Sequence, residues 1–335
     1  MSGEHQHQKD ITSWASKDGQ FRRQASVFRD KIEVNGKFPP EKGRYMLYVS
    51  LACPWAHRTL IVRKLKGLED YIDVATVHPY MGALGWSFYP PIRDEDGGYP
   101  ATKGEVGEDD GVAEVTRDPL YDSKFLRELY FKVDPEYSGR FTVPTLWDKK
   151  TETIVNNESS EIIRFMNYEF NSLLPEEFAK VDLYPESLRA EIDDQADWVY
   201  NKINNGVYKS GFATNQEAYE SNVVPLFEAL DRMEKILGER EFAAGAQMTE
   251  ADVRLFTTII RFDPVYVSHF HCDLGTIRHK YPNIHTWVRK LYWENEPFKS
   301  TTNFEHIKAH YFRSHTHLNP THIVPVGPVP HIEKL

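Results

Sequence analysis

The sequence predicts a small α/β domain over residues 40–172 followed by an all-helical domain over 185–318. Three observations carry that reading. Up to about residue 172, short apolar runs of strand length alternate with stretches of helical period. Beyond it the period is helical almost throughout, in runs over 188–204, 216–237, 249–262 and 284–295. An acidic segment over 173–184, carrying Pro175 and followed by Pro185, separates the two and reads as a linker. Residues 1–39 form a polar N-terminal extension, and 319–335 a proline-rich C-terminal tail.

Taken in order, 42–49 reads as a strand and 56–66 as a helix turning Leu60, Ile61 and Leu65 inward, with a second strand over 73–78. That is a β-α-β unit. From 81 to 119 the composition shifts to Gly, Pro, Asp and Glu, which is loop chemistry, and a loop this long inside a domain is usually functional. A helix over 120–132 follows, then a strand-like stretch over 139–148 interrupted by Pro144, a paired strand over 153–155, and a helix start at Glu158-Ser159-Ser160. Thr249-Glu250-Ala251-Asp252 is a capping box with a structural task. The stretch 301–335, with Pro320, Pro325, Pro328 and Pro330, reads as an extended surface tail.

Cys53-Pro54-Trp55-Ala56 stands at the first strand-to-helix turn of this order. A thiol there faces unpaired backbone N–H groups and the positive end of the helix dipole, which stabilise the thiolate. Pro54 suits the first helical position, where its missing N–H costs nothing. A dithiol oxidoreductase of the C-x-x-C type carries a second cysteine at the fourth position, where this chain has Ala56. No disulfide can close within the motif. The covalent partner it implies is an external thiol such as glutathione, held as a mixed disulfide on Cys53.

Composition narrows the classes further. Only two cysteines, Cys53 and Cys272, occur in 335 residues, which rules out a disulfide framework and fits a reducing, cytoplasmic setting. Cys272, in the second domain, reads as a structural thiol. A net charge of −10 without a basic block excludes the electrostatic footprint of a nucleic-acid binder. No apolar run reaches the roughly 18 residues of a membrane span. The first residues are polar and carry Glu4, Asp10 and Asp18, unlike a secretory signal or an acid-poor transit peptide. A receptor-read address leaves mitochondrial or peroxisomal pools open. His306 and His310 lie at i, i+4 with His315 and His317 beyond, but no carboxylate or cysteine at ligand spacing completes them, and no metal is expected.

Cys53-Pro54-Trp55-Ala56, Val143-Pro144 and Glu158-Ser159, in that order, resemble the glutathione-binding half of a glutathione transferase, a thioredoxin-like α/β domain followed by an all-α domain. Gly85-Trp86-Ser87-Phe88, Tyr137-Ser138-Gly139-Arg140, the run from Thr142 to Asp148 and Ile323-Val324-Pro325-Val326-Gly327-Pro328 narrow the resemblance to the Xi class, the S-glutathionyl-hydroquinone reductases, over residues 20–330.

The resemblance implies roles. Pro144 matches the family's cis-proline, leaving the N–H and C=O of Val143 to pair with the cysteinyl part of glutathione. Ser159 and its helix end take the γ-glutamyl carboxylate and Glu158 the ammonium. Trp86 covers the glycyl end, and Arg127 is the candidate cation for the glycyl carboxylate. Tyr200, Tyr266 and Tyr311 match aromatic positions of the acceptor site, where phenol hydroxyls suit a flat hydroxylated ring. Position 312 is Phe where many relatives carry Tyr. A homodimer is also implied.

The activity expected is removal of glutathione from glutathionyl-hydroquinones by way of a Cys53–glutathione disulfide, with the three tyrosines placing or polarising the ring oxygens. Two rivals stand beside it: an omega-like thioltransferase or dehydroascorbate reductase, which shares the Cys-Pro-x-Ala turn, and a non-enzymatic transferase-like scaffold.

Overall fold

In a computed structural model describing residues 16, 18–22, 24–92, 106–108 and 110–335, the first apolar run becomes the inner strand of a mixed sheet. The elements are β1 (Tyr45–Val49), α1 (Pro54–Leu65), β2 (Ile72–Thr76), the short pair β3 (Met81–Gly82) and β4 (Gly85–Trp86), α2 (Leu126–Val133), β5 (Thr145–Asp148), β6 (Thr153–Asn156) and α3 (Ser159–Tyr168). The main sheet runs β2-β1-β5-β6, with β1 parallel to β2 and antiparallel to β5, and β5 antiparallel to β6. The parallel pair needs a crossover, and α1 supplies it. All five residues of β1 are buried, which is why its sequence is a continuous apolar run rather than an alternation.

Helix α1 is buried over all of Pro54–Val62 because it is clamped between α3 on one flank and the helical half on the other. It ends at Gly67, whose φ is +61° and where a Cβ would lie 2.6 Å from the Phe178 ring, so the turn requires glycine on both counts.

The second half contains α4 (Glu176–Ala179), α5 (Arg189–Trp198), α6 (Gly206–Gly211), α7 (Gln216–Glu239), α8 (Glu250–Arg261), α9 (Val267–His269), α10 (Ile277–Lys280), α11 (Pro282–Glu294), α12 (Glu296–Ser300) and α13 (Phe304–Ser314). Two π-helical turns, Val199–Asn204 and Phe262–Tyr266, interrupt the α-helical path, a device frequent near functional sites. The capping box forms as expected: Thr249 N–H donates to Asp252 at 2.9 Å, and the same carboxylate accepts from Ala243 N–H at 2.8 Å and the Trp287 indole at 3.0 Å.

Four expectations need correction. The helix expected over 120–132 starts only at Leu126, because the Asp118 carboxylate accepts from the backbone N–H groups of Leu120 (3.1 Å) and Ser123 (3.2 Å) and holds a turn there. The stretch 301–335 is not all tail: Asn303 caps α13 by accepting from His306 N–H at 2.8 Å, and every proline lies beyond the helix end. The 173–184 segment carries the short α4. Within the polar extension, Phe21, Ile32 and Phe38 are buried in the core; residues 1–15 lie outside the described ones, as do 93–105 and 109 of the long insert.

Candidate functional site

Cys53 is the N-cap of α1, with extended backbone (φ −76°, ψ 121°), and its carbonyl accepts the first helical bond from His57 at 3.0 Å. No side chain caps this helix, and Pro54 occupies the first helical position. The thiol is half-buried and donates to the Val143 carbonyl at 3.5 Å, so the two motif residues 90 positions apart meet at one point. The Val143–Pro144 bond is cis. Cys272 is the opposite case. It is fully buried, and burial pushes its thiol far above the ordinary range, so it is chemically inert.

Cys53 opens into a cleft of about 1000 Å³, counting its open mouth. One wall comes from the α/β half: Pro54, Trp55, Trp86, Arg140, Thr142, Val143 and Asn157. The Tyr130 hydroxyl fixes part of this wall, donating to Thr142 C=O at 2.8 Å and accepting from Asn157 Nδ2 at 3.2 Å. Gln24, Ala25 and Ser26 of the extension close one end. The opposite wall comes from α6 and the C-terminal part: Tyr208, His310, Tyr311 and His315.

The aromatic wall is wired through hydroxyls. Tyr311 is linked to Tyr208 at 2.5 Å and to Tyr266 at 3.0 Å. Three phenols carry three protons, and two links use two of them, so one O–H of the trio is left outside these links. Burial pushes the phenols of Tyr208 and Tyr311 well up and that of Tyr266 up to about 12, so all three are neutral near pH 7. Behind them His269 Nε2 and His315 Nδ1 are 3.0 Å apart, while His310 stacks on Trp86 with centroids 4.7 Å apart. Burial lowers His269 to about 3 and His310 to about 4, which keeps both uncharged.

Of the residues singled out from sequence, the structure gathers Cys53, Trp86, Val143 and Tyr311 around the cleft, with Pro144 next to Val143 and Tyr266 directly behind Tyr311. Glu158 and Ser159 begin α3 just past Asn157, but the cap is Glu158, which accepts from Ser160 N–H at 3.1 Å and from Ser26 Oγ at 3.1 Å; Ser159 is the first helical residue. Tyr200 stands apart from the cleft lining. It lies in the first π-turn with its ring 5.7 Å from Trp55. Arg127 is also outside the lining, over the Phe131 and Phe141 rings at 5.2 and 5.4 Å. Sequence reading gave no role to Tyr208, Arg140, Asn157 or the Gln24–Ser26 segment. Arg140 closes the noticed Tyr137-Ser138-Gly139-Arg140 motif and Asn157 adjoins Glu158, whereas nothing in the sequence around Tyr208 marks it. Among the described residues no group of three His, Cys, Asp or Glu is placed to hold a metal, and no helix is long and apolar enough to cross a membrane.

Comparison with known proteins places this architecture. The family model for the glutathione S-transferase N-terminal domain matches residues 52–168, and that for the C-terminal domain matches 216–290. The chain is 55% identical over 327 residues to "Glutathione S-transferase omega-like 2" of Schizosaccharomyces pombe, covering 96% of this chain and 98% of that protein. The crystal structure of the glutathione-S-transferase Xi from Phanerochaete chrysosporium superposes with a TM-score of 0.88 at 60% identity, covering 96% of each chain. Escherichia coli "Glutathionyl-hydroquinone reductase YqjG" is 49% identical, covering 93% of this chain and 90% of that protein. Its glutathione-bound structure superposes with a TM-score of 0.82 at 47% identity, covering 95% and 96% of the two chains. Sequence motifs, sheet topology and the helical second half therefore agree: the chain belongs to the glutathione transferase family, in its Xi class.

Proposed function

We propose that this protein is a glutathione-dependent reductase that removes glutathione from glutathionyl-hydroquinones through Cys53. The observation that carries the reading is a lone half-buried thiol at a helix N-terminus, facing linked phenol hydroxyls across one cleft. The name of the E. coli relative and the glutathione in its structure support it.

Glutathione lies along the α/β wall, its cysteinyl backbone against Val143 beside Pro144. Its γ-glutamyl end reaches the α3 N-terminus, where Ser159 and backbone N–H groups take the carboxylate and Glu158 the ammonium. Trp86 covers the glycyl end. Arg140, which lines the cleft, replaces Arg127 as the cation for the glycyl carboxylate.

The Cys53 thiolate attacks the thioether sulfur; the Cys53–S bond forms and the aryl C–S bond breaks. The electron pair goes to the ring, which must first be protonated at that carbon, because an aryl anion is a poor leaving group. Tyr208 and Tyr311, with Tyr266 behind, hold the ring oxygens and favour the keto form. A second glutathione thiolate then attacks the Cys53 disulfide, releasing oxidised glutathione and restoring the thiolate. Overall, glutathionyl-hydroquinone and glutathione become hydroquinone and oxidised glutathione.

The omega-like name of the S. pombe relative favours a second reading, thiol transfer or dehydroascorbate reduction by the same cysteine. Steady-state turnover of glutathionyl-menadiol and of dehydroascorbate by wild type and Cys53→Ala decides. The proposal expects ping-pong kinetics and preference for the aryl substrate. Full turnover by Cys53→Ala overturns it.

A further inference from the structure

We propose that Arg261, the last residue of α8, is a positioning residue for Cys53: it grips the turn that presents the thiol and supplies the buried positive charge that favours the thiolate. The inference rests on the reading of Cys53 as the nucleophile.

Arg261 is 0% exposed. Its Nε donates to Ala52 C=O at 3.0 Å and one terminal nitrogen donates to Leu51 C=O at 3.2 Å. The other terminal nitrogen donates to Thr257 C=O at 2.7 Å and to His57 Nδ1 at 3.0 Å. Leu51 and Ala52 are the two residues before Cys53, and His57 lies in the first turn after it, so one planar fork holds both sides of the nucleophile.

The protonation states around it follow. A guanidinium has no acceptor, so Nδ1 of His57 must be bare, and Nε2–H donates to Thr301 Oγ1 at 3.0 Å. Thr301 passes its own proton to Pro297 C=O at 2.6 Å. Burial first, and the Arg261 charge second, keep His57 far below the ordinary imidazole range.

All four acceptors of Arg261 are therefore neutral, and among the described residues it forms no ion pair with a carboxylate. A fully buried charge without an anionic partner is unusual and costly. An anion forming at Cys53, joined to the Ala52 carbonyl that the guanidinium holds, is the counter-charge this arrangement lacks.

The other titratable groups facing the thiol do not supply that role from behind. Arg140 and Tyr137 are on the cleft wall, and Tyr208, His310, Tyr311 and His315 opposite are all held uncharged by burial. Arg58, on α1, is engaged by Asn204 and the Trp55 ring.

Alkylation of Cys53 by iodoacetamide across a pH series, read by mass spectrometry on the full chain, tests this in wild type, Arg261→Lys and Arg261→Gln. The wild-type midpoint should lie about one pH unit or more below that of glutathione in the same buffer; Gln should raise it by about one unit, and Lys by less than a third of that. An unmoved midpoint in Gln, or Lys as high as Gln, overturns the proposal, because a merely structural fork predicts one or the other. Should neither variant fold, wild type decides: a midpoint no lower than that of glutathione overturns the role, and a depressed one supports it. Loss of glutathionyl-menadiol turnover in Cys53→Ala with an unshifted Gln midpoint would leave the reductase reading intact and remove only this one.

Discussion

The two walls of the cleft differ in what they are made of. The α/β wall offers backbone and helix ends: the Val143 carbonyl, the α1 and α3 N-termini, and side chains such as Asn157 and Arg140 beside them. The helical wall offers aromatic side chains, with Tyr208 and Tyr311 linked at the surface and Tyr266 and His269 buried behind. A backbone wall suits a peptide, whose own N–H and C=O groups are constant. A side-chain wall suits a ring whose hydroxyls sit at fixed corners. On the proposed function, the difference teaches that binding of the thiol carrier and choice of the leaving ring are separable, and each variant below should touch one wall and spare the other.

The largest effect falls on the thiol. Cys53→Ala should lower glutathionyl-menadiol turnover about 1000-fold or more, the scale of losing a covalent nucleophile, while glutathione still binds by calorimetry. If binding vanishes as well, the Cys53 side chain is itself a main glutathione-binding contact of the α/β wall.

Acid should strike the helical wall next. His269 at about 3 and His310 at about 4 lie below the free-imidazole 6.5, chiefly because burial disfavours the cation. A depressed folded-state value means the unfolded chain binds more protons, so these groups contribute stability in full above pH 6.5. That contribution is lost as pH falls from 6.5 through about 4 and then 3, by up to about 1.4 kcal/mol per group per pH unit. The urea midpoint should drop accordingly between about pH 7 and about pH 5; a flat profile would refute neutral burial of the histidines.

Tyr311→Phe removes the hub of both hydroxyl links and should reduce kcat about tenfold or more, the lower range for loss of a proton-donating contact. Alkylation of Cys53 should stay within about twofold. Equal losses in both would show that the walls act as one unit.

On the glutathione side, Arg140→Ala should raise the KM for glutathione about tenfold, the scale of one charge-assisted contact, with Arg127→Ala near wild type. The reverse ranking would restore Arg127 as the carboxylate partner. The smallest effect is expected at Tyr200→Phe, within about twofold of wild-type turnover, since its ring rests on Trp55 outside the cleft lining.

How far the sequence reaches follows the same division. The Cys53 turn and the helix start at Glu158 were legible because each is a local conformation written in adjacent residues, a helix entry and a cap; of the strand-like run expected over 139–148 only Thr145–Asp148, after Pro144, pairs as a strand. Tyr208 was invisible for the opposite reason, since its place depends on α6 crossing to meet α13, a contact between residues 103 positions apart. Tyr200 looked equivalent to Tyr311 in the sequence and is not, because the π-turn over Val199–Asn204 directs it to Trp55. Helix α13 hid behind the prolines that follow it, and the extension's contribution to the cleft could not be read from its polar composition.

The sequence by itself determined a cysteine at a helix entry without a resolving partner in its motif, the two-part fold and the motifs that meet around that cysteine, because short-range sterics and hydrogen bonding fix these within a few residues. Only the tertiary structure decided which tyrosines face the cleft, which arginine reaches it and which lies buried behind the thiol. Those identities depend on how helices far apart in the chain pack, and burial is the largest cause that keeps their phenols and imidazoles neutral.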